Sequence, residues 1–266
     1  VSKIGLFKPK LEEAVRMTPT SSFTPSTALV TGATSGIGRA TAIALATTGI
    51  HVAAAGRDKT RGDQTVAAIR AAGGRADFVP ADLRDAASAT QLAAAAEAVL
   101  GHVDILVNNA GSGAFGPTAG TIEAAFDDLF ALNVKVPYFL TAALAPGMAE
   151  RGAGVIVNVS TMVAELGLDG MALYGSTKAA LELLTKAWSA EFGPQGIRVN
   201  AVAPGPISTE GTAGMREAQG YLASLAPARR LGTAEEVAAA IVYLASPGAG
   251  FTHGVVLPVD GGRVAV

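Results

Sequence analysis

Tyr174 and Lys178 stand four residues apart in Leu173-Tyr174-Gly175-Ser176-Thr177-Lys178, ahead of an apolar-periodic run from Ala179 to Phe192. On a helix that spacing puts both side chains on one face, an ammonium beside a phenol. A free tyrosine titrates near ~10, and a close positive charge favours the phenolate and lowers that value. The result would be a proton donor and acceptor usable nearer neutrality. The same spacing also occurs on ordinary solvated helices, so the pair takes its meaning from what else the chain carries.

A second stretch able to do chemistry is Thr31-Gly32-Ala33-Thr34-Ser35-Gly36-Ile37-Gly38. Glycines let a backbone take positive φ and approach a ligand closely, and a following helix N-terminus offers unpaired N–H groups to a pyrophosphate. The spacing is G-x-x-x-G-x-G. In a strand–turn–helix context at the start of an open parallel sheet it points to nucleotide binding; alone it is a tight turn. Other chemistries are poorly supplied. The chain has no cysteine, which excludes disulfides, thiolate metal sites and cysteine nucleophiles, and its three histidines (His51, His102, His253) are scattered without metal-binding spacing, so no metal site is expected.

The elements that must position these groups follow a repeating rhythm. Thr27 to Thr31 reads as a short apolar strand, Gly36 to Thr48 as a helix, His51 to Ala55 as a strand and Asp58 to Ala72 as a helix. Ala76 to Pro80, Ala86 to Leu100 and Val103 to Val107 continue strand, helix, strand. Helix Thr121 to Glu150, strand Val155 to Val159, helix Ala172 to Phe192 and strand Ile197 to Val202 complete the alternation. Strands separated by helices imply right-handed crossovers and a parallel sheet covered on both faces. The expected fold is α/β, a single-domain doubly wound parallel sheet of the Rossmann type over residues 27–266.

With 266 residues, half of them hydrophobic, the chain has material for one well-buried core. A formal net charge of −2 offers no basic surface, so nucleic acid is not an expected partner. The uncharged run Val237 to Val259 is broken by Ser246-Pro247-Gly248-Ala249-Gly250 into a helix-like and a strand-like half, which reads as core rather than a membrane span. No secretory signal is legible, which makes a cytoplasmic location the default expectation. Residues 1–26 mix Lys, Glu, Pro, Ser and Thr without sustained periodicity and are expected to be an extension. Met17 is a candidate start of the functional unit, and a short docked helix over Lys10 to Met17 is the alternative.

The glycine loop, Asn108-Asn109-Ala110-Gly111, Tyr174-x-x-x-Lys178, Pro204-Gly205 and the late Asp260-Gly261-Gly262 occur in the order seen in one-domain short-chain dehydrogenase/reductases, and from Thr27 to Gly262 the chain resembles that family. The resemblance implies a nicotinamide-dependent enzyme acting on a small carbonyl or alcohol. Gly32, Ser35, Gly36, Ile37 and Gly38 would lie under the cofactor phosphates. Asp82 and Leu83 would meet the adenine, with a helix N-cap as the alternative role of Asp82. Asn109, Ala110 and Gly111 would sit beside the ribose, Asn109 with a structural alternative. Pro204, Gly205, Ile207 and Thr209 would line the nicotinamide.

Where enzymes of the family that take NAD usually carry an acidic residue at the end of the second strand, this chain has Gly56 followed by Arg57. A guanidinium in place of a carboxylate favours the extra phosphate of NADP(H), with NAD(H) as the alternative. Asp58 could turn Arg57 aside. By the same resemblance Tyr174 is the proton donor, Lys178 lowers its pKa and holds the ribose, and Asn133 holds a water that relays protons. The family's serine, thirteen residues before the tyrosine, falls on Thr161. Because strand neighbours point to opposite faces, Ser160 and Thr161 compete for that place, and the count favours Thr161.

The expected substrate walls are Gly113 to Phe115, Val163 to Met171 and a lid around residues 209–230, suited to hydrophobic ketones or acyl chains. Arg216, Arg229 and Arg230 offer an anionic carrier a hold, against the plainer reading of solvated surface charge. The competing readings are an NAD-dependent alcohol or polyol dehydrogenase and, from other classes, a cofactor-sensing regulator without turnover or a purely structural protein. A homo-oligomer, by family resemblance a tetramer, is the expected assembly.

Overall fold

The computed structural model describes residues 23–266. The expectations for residues 1–22, Met17 and the helix over Lys10 to Met17 among them, lie outside the described residues. Residues 23–26 pack on the sheet: Phe23 lies against the core, and Ser26 donates through its amide (2.8 Å) and hydroxyl (3.0 Å) to Asp104.

The chain alternates strictly at first: β1 (Thr27–Thr31), α1 (Gly36–Thr47), β2 (His51–Gly56), α2 (Lys59–Ala71), β3 (Arg75–Pro80), α3 (Ala86–Leu100) and β4 (Ile105–Asn108). Then follow α4 (Glu123–Phe130), α5 (Val136–Glu150), β5 (Gly154–Val159), α6 (Ala172–Phe192) and β6 (Ile197–Pro204). The chain ends with β7 (Ile207–Ser208), α7 (Arg216–Ser224), β8 (Gly232–Thr233), α8 (Ala234–Ala245) and β9 (Val256–Val259). Seven strands form one parallel sheet in the order β3-β2-β1-β4-β5-β6-β9, and β7 and β8 make a small parallel pair outside it. The order reverses between β1 and β4, where an open α/β sheet leaves its ligand crevice.

Alternation within each strand supplies both layers. In β1, Ala28 and Val30 join Leu45, Val66, Ile69, Ile241 and Leu244 from α1, α2 and α8. Leu29 points the other way, into Leu92, Ala96, Leu140, Leu144, Leu181 and Trp188 from α3, α5 and α6. The helix expected over Thr121 to Glu150 is interrupted: Ala131–Lys135 widen into a π turn between α4 and α5. The stretch Glu123–Glu150 is long and apolar enough to cross a membrane, yet its Val136, Leu140, Leu144 and Met148 are spent inside the core. Val237 to Val259 divides at Pro247 into α8 and β9, as its broken pattern foretold.

Candidate active site

The C-terminal ends of β1, β2 and β4 open into a cleft of about 340 Å³. Its lining brings together Gly32, Ser35, Gly36, Ile37, Gly38, Arg57, Leu83, Asn109, Ala110, Gly111 and Thr209 from the residues expected at a cofactor, and adds Thr34, Gly56, Asp58 and Arg61. The loop is packed to the limit of glycine. A Cβ on Gly38 would stand 2.3 Å from both Asn109 Nδ2 and Gly32 O. Asn109 is the brace: its amide donates to Thr31 O (2.7 Å) and Gly32 O (3.3 Å), while the Thr31 hydroxyl accepts from the amides of Asn109 and Ala110 (2.9 Å each). Its side chain thus fixes the turn, the structural alternative named for it.

Asp82 does not enter this lining. Its carboxylate accepts from Arg84 Nε at 2.7 Å, which holds it below the usual carboxylate range. The N-cap of α3 is Asp85, which accepts from Ser88 N at 2.8 Å, so the capping role considered for Asp82 belongs three residues later. Asp58 does not turn Arg57 aside: it caps α2 by accepting from Arg61 N (3.0 Å) and takes Arg61 Nε at 2.8 Å.

At α1's first turn the amide of Gly36 donates to Glu210 Oε2 at 3.1 Å. A carboxylate therefore occupies the anion seat that the glycine loop builds, and backbone amides, its own and that of Gly36, hold its pKa below the usual range with Arg39 and Arg61 nearby. The seat accepts a negative oxygen, so these residues fit a dinucleotide phosphate. Nothing local signals this contact, which joins residues 174 positions apart.

The reacting end is built by α6 against β5. Tyr174 and Lys178 share the helix face that also buries Leu181, Glu182, Thr185 and Trp188. Lys178 is 4% exposed, and its ammonium donates to Val159 O at 2.8 Å. Gly111 ties this end to the cleft, since a Cβ there would lie 3.2 Å from Lys178 Nζ and 3.1 Å from Asn133 Oδ1. Asn133 is fully buried in the π turn; its amide donates to Ser112 O (2.9 Å) and Thr177 Oγ1 (3.0 Å) and accepts from Ser112 N (3.1 Å). The side chain thus clasps the loop after β4 to α6, leaving one acceptor direction on Oδ1.

One expectation is corrected. Lys178 does not bring the Tyr174 pKa down. Burial pushes the phenol up, opposed by the adjacent Thr161 hydroxyl, and burial pulls the Lys178 ammonium down to about 8. The Lys178 ammonium makes its hydrogen bond to the Val159 carbonyl and not to the phenol.

The end of β5 separates the competing hydroxyls. Ser160 Oγ donates to Glu182 Oε1 at 2.6 Å, away from the phenol, whereas Thr161 lies beside Tyr174 with its hydroxyl 3.5 Å from Pro204 O. Pro204 closes β6, and Gly205 presses on Asp260 so closely that a Cβ would meet Asp260 Cα at 2.6 Å. Ile207 is 5% exposed and belongs to the core, while Thr209, two residues on, reaches the cleft.

On the substrate side, Gly116 N donates to Gly170 O at 2.9 Å, joining the loop after β4 to the loop before α6. The segment after Thr209 is a 3-10 turn (Glu210–Met215) followed by α7. Arg230 forms a two-pronged pair with Glu236 (2.6 and 2.9 Å), and Arg229 donates to Ser224 O at 2.6 Å.

Comparison with known proteins agrees with this geometry. The family model described as enoyl-(acyl carrier protein) reductase matches residues 32–263. Gluconate 5-dehydrogenase of Gluconobacter oxydans is 37% identical over 238 residues, covering 88% of this chain and 93% of its own. A solved short chain dehydrogenase/reductase family protein is 48% identical with a TM-score of 0.84, covering 91% of this chain and 98% of its own. The structure of a gluconate 5-dehydrogenase from Burkholderia cenocepacia J2315 in complex with NADP and tartrate is 31% identical with a TM-score of 0.86, covering 92% of this chain and 97% of its own.

Proposed function

The chain belongs to the short-chain dehydrogenase/reductase family and is an oxidoreductase acting on alcohol and ketone groups, and on that premise we propose that it is an NADP(H)-dependent reductase of hydrophobic ketones or 3-oxoacyl compounds. The observation that carries the cofactor choice is Arg57: it lines the cleft beside Gly56 with no carboxylate bonded to it among the described residues, since Asp58 is taken by Arg61. A guanidinium that meets the Asp82 carboxylate only through space is open to a 2′-phosphate, and a glycine before it offers no side chain to the ribose hydroxyls.

The bound nicotinamide would supply the hydride. Tyr174 donates its proton to the substrate oxygen, and a phenol kept protonated by burial is suited to that task. Thr161 steadies the same oxygen through its hydroxyl. Lys178 ties α6 to the Val159 carbonyl and Asn133 ties Ser112 to Thr177 of α6, and the ammonium's remaining protons would hold the cofactor ribose. Gly32 to Gly38 would hold the phosphates, Ala110, Gly111 and Leu83 would line the nucleoside, and Thr209 would line the nicotinamide. The segment 209–230 acts as the lid. Assembly as a homotetramer belongs to the same proposal.

The segments expected to wall the substrate carry Ala114, Phe115, Val163, Leu166 and Leu168, whose apolar side chains support an apolar substrate, and Arg229 and Arg230 are engaged elsewhere. A polyhydroxy acid is the second reading, favoured by the likeness to gluconate 5-dehydrogenases. NADPH and NADH oxidation against a panel of apolar ketones, 3-oxoacyl thioesters and keto-gluconates tests both; turnover only with NADH, or only with the sugar acids, overturns the corresponding half of the proposal.

Two further expectations arise at this site. Thr161→Val lowers kcat by about 10²-fold, the scale of one lost oxyanion donor, whereas Ser160→Ala stays within a few-fold because its hydroxyl serves Glu182. Loss of turnover in the serine variant alone would reverse the assignment. Glu210→Gln removes the charge that contests the phosphate seat, so NADPH binds several-fold tighter in a fluorescence titration; unchanged or weaker binding would show that the carboxylate does not compete.

A further inference from the structure

Glycine at position 56 leaves the ribose without a carboxylate, and its surroundings give a steric reason for its being glycine. A Cβ built on Gly56 would stand 2.5 Å from Thr34 Cγ2, 3.3 Å from Thr34 Oγ1 and 3.5 Å from Thr34 Cβ. The first distance is far inside van der Waals contact. Thr34 is 8% exposed, and a β-branched side chain has little χ1 freedom with which to turn aside. Nor can the loop carry it away cheaply. Ala33 N donates to Ala55 O at 2.9 Å, Thr65 Oγ1 donates to Ala33 O at 3.1 Å, and Asn109 holds Gly32 O. The glycine loop and the end of β2 are thus locked together, with the threonine methyl in the space a side chain at 56 would need.

We propose that Thr34 is a specificity-determining residue: its packing over Gly56 excludes a ribose-binding carboxylate from the end of β2, and so keeps the adenine-ribose end of the cleft for a phosphorylated ribose. This rests on the NADP(H) reading above. With position 56 closed to any side chain, the charged groups left along that wall are Arg57, Arg61 and Asp58, and the last two satisfy each other. Selection is therefore set by a pair from two different loops. A single acidic substitution at position 56 cannot reverse it, because the methyl must leave first.

The steric claim and the cofactor claim separate in a double-mutant cycle. Thr34→Ala removes Cγ2 and Oγ1 and leaves Cβ at 3.5 Å, an ordinary contact. Gly56→Ala, which adds bulk without charge, lowers the thermal midpoint, and Thr34→Ala in the same chain restores most of the loss, a non-additivity expected of residues in contact. Gly56→Asp alone loses kcat/KM with both cofactors, Thr34→Ala alone keeps NADP as the favoured cofactor, and Thr34→Ala/Gly56→Asp moves the NAD to NADP ratio of kcat/KM at least 100-fold toward NAD. Gly56→Ala as stable as the parent overturns the steric premise. Gly56→Asp alone switching the ratio as far as the double variant overturns the gating role. A parent enzyme that prefers NAD refutes the NADP(H) reading, and the thermal cycle still reports on the Thr34–Gly56 contact.

Discussion

Tyr174→Phe loses turnover by about 10³-fold while NADPH binds within about twofold of the parent affinity. The magnitude is that of a positioned general acid, whose removal typically costs 10²- to 10⁴-fold. The substitution deletes one oxygen from a side chain whose ring packs at the start of α6, and Lys178, Thr161 and Asn133 all keep partners that do not depend on it. The cofactor cleft is lined by other residues, so a loss of affinity has no structural cause. A stopped-flow measurement of hydride transfer with saturating NADPH distinguishes slow chemistry from slow product release. A variant that still reduces ketones at near-parent rates would remove Tyr174 from the mechanism, and a proton donor would have to be sought elsewhere in the cleft.

Arg198→Met is expected to cost about 3 kcal/mol or more and to lower the thermal midpoint by roughly 10 °C. Arg198 lies in β6 at 9% exposure, and its guanidinium donates to four carbonyls: Leu244 (2.6 Å), Ala249 (3.1 Å), Ala245 (3.3 Å) and Ser246 (3.1 Å). Leu244, Ala245 and the C-cap Ser246 form the C-terminal end of α8, where a cation also meets the negative end of the helix dipole, and Ala249 closes the 3-10 turn that follows. Burial pulls the Arg198 pKa down, and the carbonyls are what keep the charge tolerable. Two residues further along β6, Asn200 continues the seam by donating to Thr252 O (2.8 Å) and accepting from Val255 N (3.1 Å). Methionine would fill part of the volume and take the guanidinium away from the Leu244 and Ala245 carbonyls, while Ser246 O and Ala249 O keep the backbone amides of Ala249 and Thr252. Arg198→Lys recovers only part of the loss, because one ammonium cannot reach four acceptors as a planar fork does. A methionine variant melting within 2 °C of the parent would show that those carbonyls find water instead.

The catalytic pair and the phosphate loop were legible because their signals are local: an i, i+4 spacing, and glycines between a strand pattern and a helix pattern. Asp82 and Asp85 show where that kind of reading slips. Both are aspartates just before α3, and only the hydrogen bond from Ser88 N decides which one caps it. Glu210 and Thr34 carried no local signal at all. Each matters through a group from another part of the sequence, the Gly36 amide for one and Gly56 for the other. Arg198 reads in sequence as a charge in an apolar strand, and its purpose is visible only once α8 has returned to end beside it.

The strand and helix alternation up to β6, the parallel sheet it builds, and the placement of Tyr174 and Lys178 on one helix face could be read from the chain alone, because periodicity and spacing are properties of neighbouring residues; the π turn that breaks Thr121 to Glu150 and the β7–β8 pair could not. The tertiary structure decided three things that spacing cannot. Ser160 turns to Glu182 and leaves Thr161 to the phenol, because each face of a strand end is claimed by whatever packs there. The Lys178 ammonium holds the Val159 carbonyl, and burial, opposed by the Thr161 hydroxyl, pushes the Tyr174 pKa up. Gly56 is closed to any side chain by a methyl from the glycine loop, a contact that exists only after β1 and β2 have paired.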